Sequence, residues 1–177
     1  LGNVGLLMRL WSVVLAGNLI GTAVAAWAFN YMPIFDEPTR QAFVSIAEDV
    51  MKNSPTEMFA NAIISGWLVA TMVWMFPVAG AAKIVVIILM TWLIALADTT
   101  HIVVGSVEVL YLVFNGNLPW SDFIWPFALP TLAGNICGGT FIFALLSHAQ
   151  IRNDMSSKRK AEARAQAAEK GKKADRT

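Results

Sequence analysis

Asp98, Thr99, Thr100 and His101 stand side by side in a long apolar run, and Glu108 follows about two helical turns after the histidine. A neutral imidazole in a narrow apolar passage can donate a hydrogen bond to a small anion. A protonated one can hold the anion electrostatically or hand it a proton. The second step turns a weak-acid anion into a neutral molecule, which crosses an apolar constriction at far lower cost. The bland alternative is a histidine bonded to a backbone carbonyl. Asp98 precedes His101 by one turn, so on a continuous helix the two share a face and the carboxylate can set the ring tautomer. Asp98 is equally suited to cap the start of a following helix. Thr99 and Thr100 either line the gap with hydroxyls or cap a broken helix end. Glu108 falls on the same side as His101; ionised, it repels anions, unless it sits solvated near an interface.

These residues need an element that holds polar groups inside apolar surroundings. Residues 84–97 carry no charge. At about 1.5 Å rise per residue they span only about 21 Å, short of a hydrocarbon core of about 30 Å. The apolar character resumes after His101 and runs to Phe114. Residues 84–114 therefore read as one transmembrane helix broken in its middle. Irregular backbone at membrane depth is tolerated where it lines a cavity or is buried in protein.

Composition agrees with a membrane protein. The chain of 177 residues is 56% hydrophobic and 14% charged, against about 25% charged for a soluble domain. Further apolar spans are expected over residues 10–29, 58–76 and 123–146, the last two without any charge. Trp11, Trp27, Trp74, Trp120 and Trp125 suit interfacial belts. Between the first two spans lies a polar connection holding Asp36, Glu37, Glu48, Asp49 and Glu57 against Arg40 and Lys52, with a short amphipathic surface helix expected over residues 39–52. Lys52 either attracts anions to a mouth or pairs locally with Glu48 and Asp49. Residues 1–151 form the expected transmembrane domain, and residues 152–177 a basic tail with nine of the thirteen Lys and Arg residues. By the positive-inside rule that tail and the loop with Lys83 face the cytoplasm and the acidic connection faces outward. His148 and Arg152 then lie at the cytoplasmic interface, attracted to anionic lipid. A lone cysteine, Cys137, permits no intrachain disulfide. No nucleotide loop, metal-ligand spacing or nucleophile–base pair is readable, so no enzyme, cofactor, metal or nucleic-acid partner is expected.

The octapeptide from Leu15 to Thr22, LAGNLIGT, recurs from Leu132 to Gly139 as LAGNICGG. Each copy places two glycines four apart with an asparagine, Asn18 or Asn135, beside the first. Such glycines suit close helix packing, and each asparagine needs a partner, either another helix or a water-lined path. The copies lie three spans apart and so run in opposite directions, as in an inverted-topology repeat. On that basis an intact protein of six spans is expected, of which this chain holds the last four.

The paired glycine–asparagine motifs, with a broken span bearing a histidine at the break, resemble the formate/nitrite transporter family across most of residues 10–147. The resemblance implies an all-α, aquaporin-like helical bundle in a bacterial inner membrane, assembled as a homopentamer with the C-terminus cytoplasmic. It implies a channel or secondary transporter for small monovalent anions such as formate or nitrite. Carried over residue by residue, the substrate pathway is His101, Asn18, Asn135 and Lys52, to which the residues themselves add Asp98, Thr99, Thr100 and Glu108. This chain departs from the family pattern in having Thr100 where a glutamate precedes the histidine, Gly105 where an asparagine follows it, and Ala70 in place of a fourth-span asparagine. Two other readings stay open: a pore for a neutral small solute or weak acid using Asp98 and Glu108, and a membrane scaffold whose basic tail binds lipid or a partner.

Overall fold

A computed structural model describes residues 2–150 and residue 152. The basic tail, apart from Arg152, lies outside the described residues. The described chain is helical with no strand, as an all-α membrane protein requires. Its helices are α1 (Gly2–Tyr31), α2 (Glu37–Met51), α3 (Pro55–Ala79), α4 (Lys83–Leu96), α5 (Ile102–Phe114) and α6 (Trp120–Gln150). Val4–Tyr31, Pro55–Leu96 and Trp120–Gln150 are long and apolar enough to cross a membrane, and Ile102–Phe114 is a shorter apolar helix.

Local chemistry sets the boundaries. Asp36 caps α2 by accepting the Thr39 amide at 3.2 Å, and hydrogen bonding from the Thr39 hydroxyl and then its amide holds the Asp36 carboxyl below the usual carboxylate range. Ser54 and Glu57 form a reciprocal capping box at the start of α3, with Pro55 at its first position. The chain stays helical through Pro77 to Ala79, three residues past the expected end of the span. It then turns at Gly80, whose φ of +51° only glycine adopts at low cost. In α6, Trp125 leaves helical geometry (φ −129°, ψ 117°) just before Pro126, where proline disfavours helical backbone in its predecessor.

Two packing units result. In the first, α2 lies across α1 and α5 through an aromatic cluster. Phe43 stacks on Phe29 at 6.0 Å and meets Phe35 and Tyr111 edge-on at 5.0 and 5.7 Å. Arg40 ties this unit together by donating to the carbonyls of Asn30 and Met32, both at 2.9 Å, which complements the negative end of α1. Lys52 pairs with Asp49 at 2.5 Å on the exposed surface, which holds its ammonium above the usual lysine range. Both basic residues of this connection are thus engaged locally.

The second unit is α3 against α6. A methyl group at Gly134 would meet the Phe59 carbonyl oxygen at 2.3 Å, one at Gly138 the Ile63 oxygen at 1.9 Å, and one at Gly66 the Asn135 oxygen at 2.4 Å. The helices touch backbone to backbone. The equivalent glycines of the first octapeptide copy, Gly17 and Gly21, have nothing within 4 Å of such a methyl. α4 packs chiefly on α3 and buries none of its residues.

Gly138→Ala is expected to force α3 and α6 apart and lower the thermal unfolding midpoint in detergent, at a cost of about 2 kcal/mol or more. In the same chain Gly21→Ala is expected to leave the midpoint unchanged or raise it, because alanine is the better helix former.

Candidate functional site

The span from α4 to α5 is broken by two helix ends that meet. α4 closes with a full Schellman arrangement: the Asp98 amide donates to Ala95 O and the Thr99 amide to Ile94 O, both at 3.2 Å. The residue that turns left-handed in this motif is Asp98, at φ +48°, the only non-glycine with positive φ among the described residues. Its side chain is exposed and neither reaches His101 nor caps α5 through a hydrogen bond. Thr99 returns its hydroxyl to Ile94 O at 3.0 Å.

α5 opens with His101 as its own N-cap, in extended backbone. The ring Nδ1 accepts the Val103 amide at 3.3 Å. An accepting Nδ1 carries no proton, so the neutral ring holds its proton on Nε2. Among the described residues Nε2 has no hydrogen-bond partner.

The rest of the break is secured from outside. Asn135 Oδ1, on α6, accepts the Ile102 amide at 2.9 Å. The Asn135 amide nitrogen donates to Ala62 O at 2.8 Å and to Ser65 Oγ at 2.9 Å, both on α3. Ser65 passes its own proton to Thr100 O at 2.5 Å, and Thr100 Oγ1 donates to Met58 O at 2.8 Å. Three elements are joined with every side-chain donor in the network used. Thr100, Ser65 and Ser106 are buried, and Ser106 Oγ bonds back to Ile102 O.

Glu108 stands apart from this network. It is half-buried and lines a cavity of about 410 Å³ together with Phe29 of α1, Phe43 and Ile46 of α2, and Val103, Val104, Val107 and Tyr111 of α5. His101 is not among the lining residues. Asn18 is exposed on α1, its amide resting on Val14 O of its own helix at 2.9 Å. Lys52 lies at the end of α2 with Asp49. The fold therefore gathers Thr99, Thr100, His101 and Asn135 at the break and leaves Asn18, Lys52 and Glu108 elsewhere.

Sequence reasoning missed the part of Ser65, visible only as a small polar residue in an uncharged span, and of Phe127, whose ring lies 2.8 Å from where a Gly105 methyl would be. It also missed Thr131, one turn before Asn135, a fully buried hydroxyl without a partner. Among the described residues no group of three or more His, Cys, Asp or Glu side chains is placed to hold a metal.

A family model for formate/nitrite transporters matches residues 2–149. The chain belongs to the formate/nitrite transporter family. It is 83% identical over 167 residues to the inner membrane protein YfdC of Escherichia coli (strain K12), an alignment covering 94% of this chain and 54% of that protein. The chain thus spans about half the length of the curated relative it matches. No solved structure matches it. In this chain a histidine stands at the break and an asparagine holds the break closed.

Two outcomes follow for this family member. Asn135→Ala leaves the Ile102 amide without its acceptor in an apolar interior, at about 1–3 kcal/mol, and should lower the unfolding midpoint. Asp98→Gly should raise it, because glycine carries no penalty in the left-handed region, by about 1 kcal/mol.

Proposed function

We propose that the full-length protein is an inner-membrane channel or secondary transporter for small monovalent anions such as formate or nitrite, and that His101 is the group the anion meets. The observation that carries this is the free Nε2 of an imidazole held by its own backbone cap at the start of α5. The positive end of a helix lies behind it, which favours a negative partner. Thr99 and Thr100 precede His101 and complete the irregular backbone. Family membership and the likeness to an inner membrane protein support the transport class.

The cap adds a coupling. Protonating the ring uses Nδ1, the atom that accepts the Val103 amide. An imidazolium at position 101 therefore leaves α5 uncapped; donating the Nε2 proton to a passing anion gives the Nδ1–H tautomer, and the cap returns only when the ring proton moves from Nδ1 back to Nε2. In this scheme anion binding, proton transfer and the state of the first turn of α5 are coupled at one residue. The assembly proposed is a homopentamer embedded in lipid, with the basic tail cytoplasmic by the distribution of Lys and Arg.

A second reading has its own observation. Glu108 puts a carboxyl into the wall of an otherwise apolar cavity, which suits a neutral solute or weak acid better than a bare anion.

Uptake of labelled formate into proteoliposomes holding the full-length protein is the test. His101→Ala is expected to cut the initial rate by about tenfold or more, the loss of one hydrogen bond to a charged group. Flux that survives His101→Ala but falls with Glu108→Gln supports the second reading instead.

A further inference from the structure

The cavity between α1, α2 and α5 has a composition that transport of small anions leaves unexplained. Its volume of about 410 Å³ falls within the range of small-molecule sites, about 300–1,000 Å³. Its walls are Phe29, Phe43, Tyr111, Ile46 and three valines, and Glu108 is its one charged group. No Lys, Arg or His lines it. Among the described residues the Glu108 carboxylate makes no hydrogen bond or ion pair. A carboxylate among apolar walls, about two turns into a helix that starts at mid-span, calls for a counter-charge. Among the described residues none supplies one.

Three aromatic rings offer the second half of the same recognition. Phe29 stacks on Phe43 at 6.0 Å, and Phe43 meets Tyr111 at 5.7 Å, so the rings form one continuous wall rather than scattered contacts. Aromatic faces attract a cation most strongly when it is desolvated, and they attract an organic ammonium through its whole methyl surface. The surface helix that carries part of this wall is acidic. α2 and its flanks expose Asp36, Glu37, Glu48, Asp49 and Glu57. Of the two basic residues there, Arg40 is bound to backbone carbonyls and Lys52 to Asp49. A field of that sign concentrates cations at this surface.

We infer that this cavity is a binding site for a small organic monocation of the alkylammonium class, held by the Glu108 carboxylate against the Phe29–Phe43–Tyr111 wall. The site is separate from the break: its one charged residue lies two turns beyond His101, and His101 does not line it. Occupancy neutralises Glu108, the one carboxylate that lines the cavity.

Calorimetric titration of the purified full-length protein in detergent with choline, and in parallel with its uncharged isostere 3,3-dimethylbutan-1-ol, tests this directly. Wild-type protein should bind choline saturably and the alcohol at least about tenfold more weakly, a comparison that needs no variant. Glu108→Gln should weaken choline by about tenfold or more while leaving the alcohol unchanged. Phe43→Leu keeps the apolar lining and removes a ring face; it should weaken choline by about threefold to tenfold. Absence of choline binding, equal affinity for the alcohol, or full choline affinity in Glu108→Gln each overturns the assignment.

Discussion

One side-chain amide decides whether the interrupted span exists. Breaking a helix inside a membrane frees backbone donors and acceptors that lipid cannot satisfy, so the break must be paired by protein. Asn135 does this from a neighbouring helix, accepting the first amide of α5 while donating to α3 at two points. Ser65 and Thr100 extend the same web to the last residues before the histidine. Because the web joins α3, α5 and α6, the position of the His101 ring is inherited from the packing of three largely apolar helices. The backbone contact at Gly66, Gly134 and Gly138 brings Asn135 close enough to reach both neighbours. The glycines and the asparagine of the repeat thus act together: the first permit the approach, and the second uses it.

That explains how the two copies of one octapeptide differ. Gly134, Asn135 and Gly138 are packed and bonded, whereas Gly17 and Gly21 face open space and Asn18 turns back to Val14. The motif is identical at the positions that matter, so the difference lies in what stands opposite. A glycine–asparagine pair becomes a structural cap only when another helix presents a free amide and a carbonyl at the right height.

Much of the architecture was legible in the chain. The charge-free segments marked the helices, and the Asp-Thr-Thr-His interruption marked the break, because no lipid-facing helix carries such a run without a reason. The roles within the break were not legible. Whether Asn135 faces a path or a helix depends on the register of α6 against α3 and α5, which no local pattern encodes. Asp98 turns left-handed at the end of α4, so it neither shares a helical face with His101 nor caps the following helix, the two roles its residue type and spacing offered equally; His101 is the cap instead. The cavity was hidden for another reason: its walls come from positions 29, 43, 46 and 103–111, brought together only when α2 folds back over α1 and α5.

The two halves of the interrupted span live under unlike conditions. α5 buries eight of its thirteen residues, and α4 buries none. Side chains in the second half are held to shape by neighbours on this chain, whereas those in the first half touch chiefly α3. One hydrophobic span thus carries two packing regimes joined at the histidine.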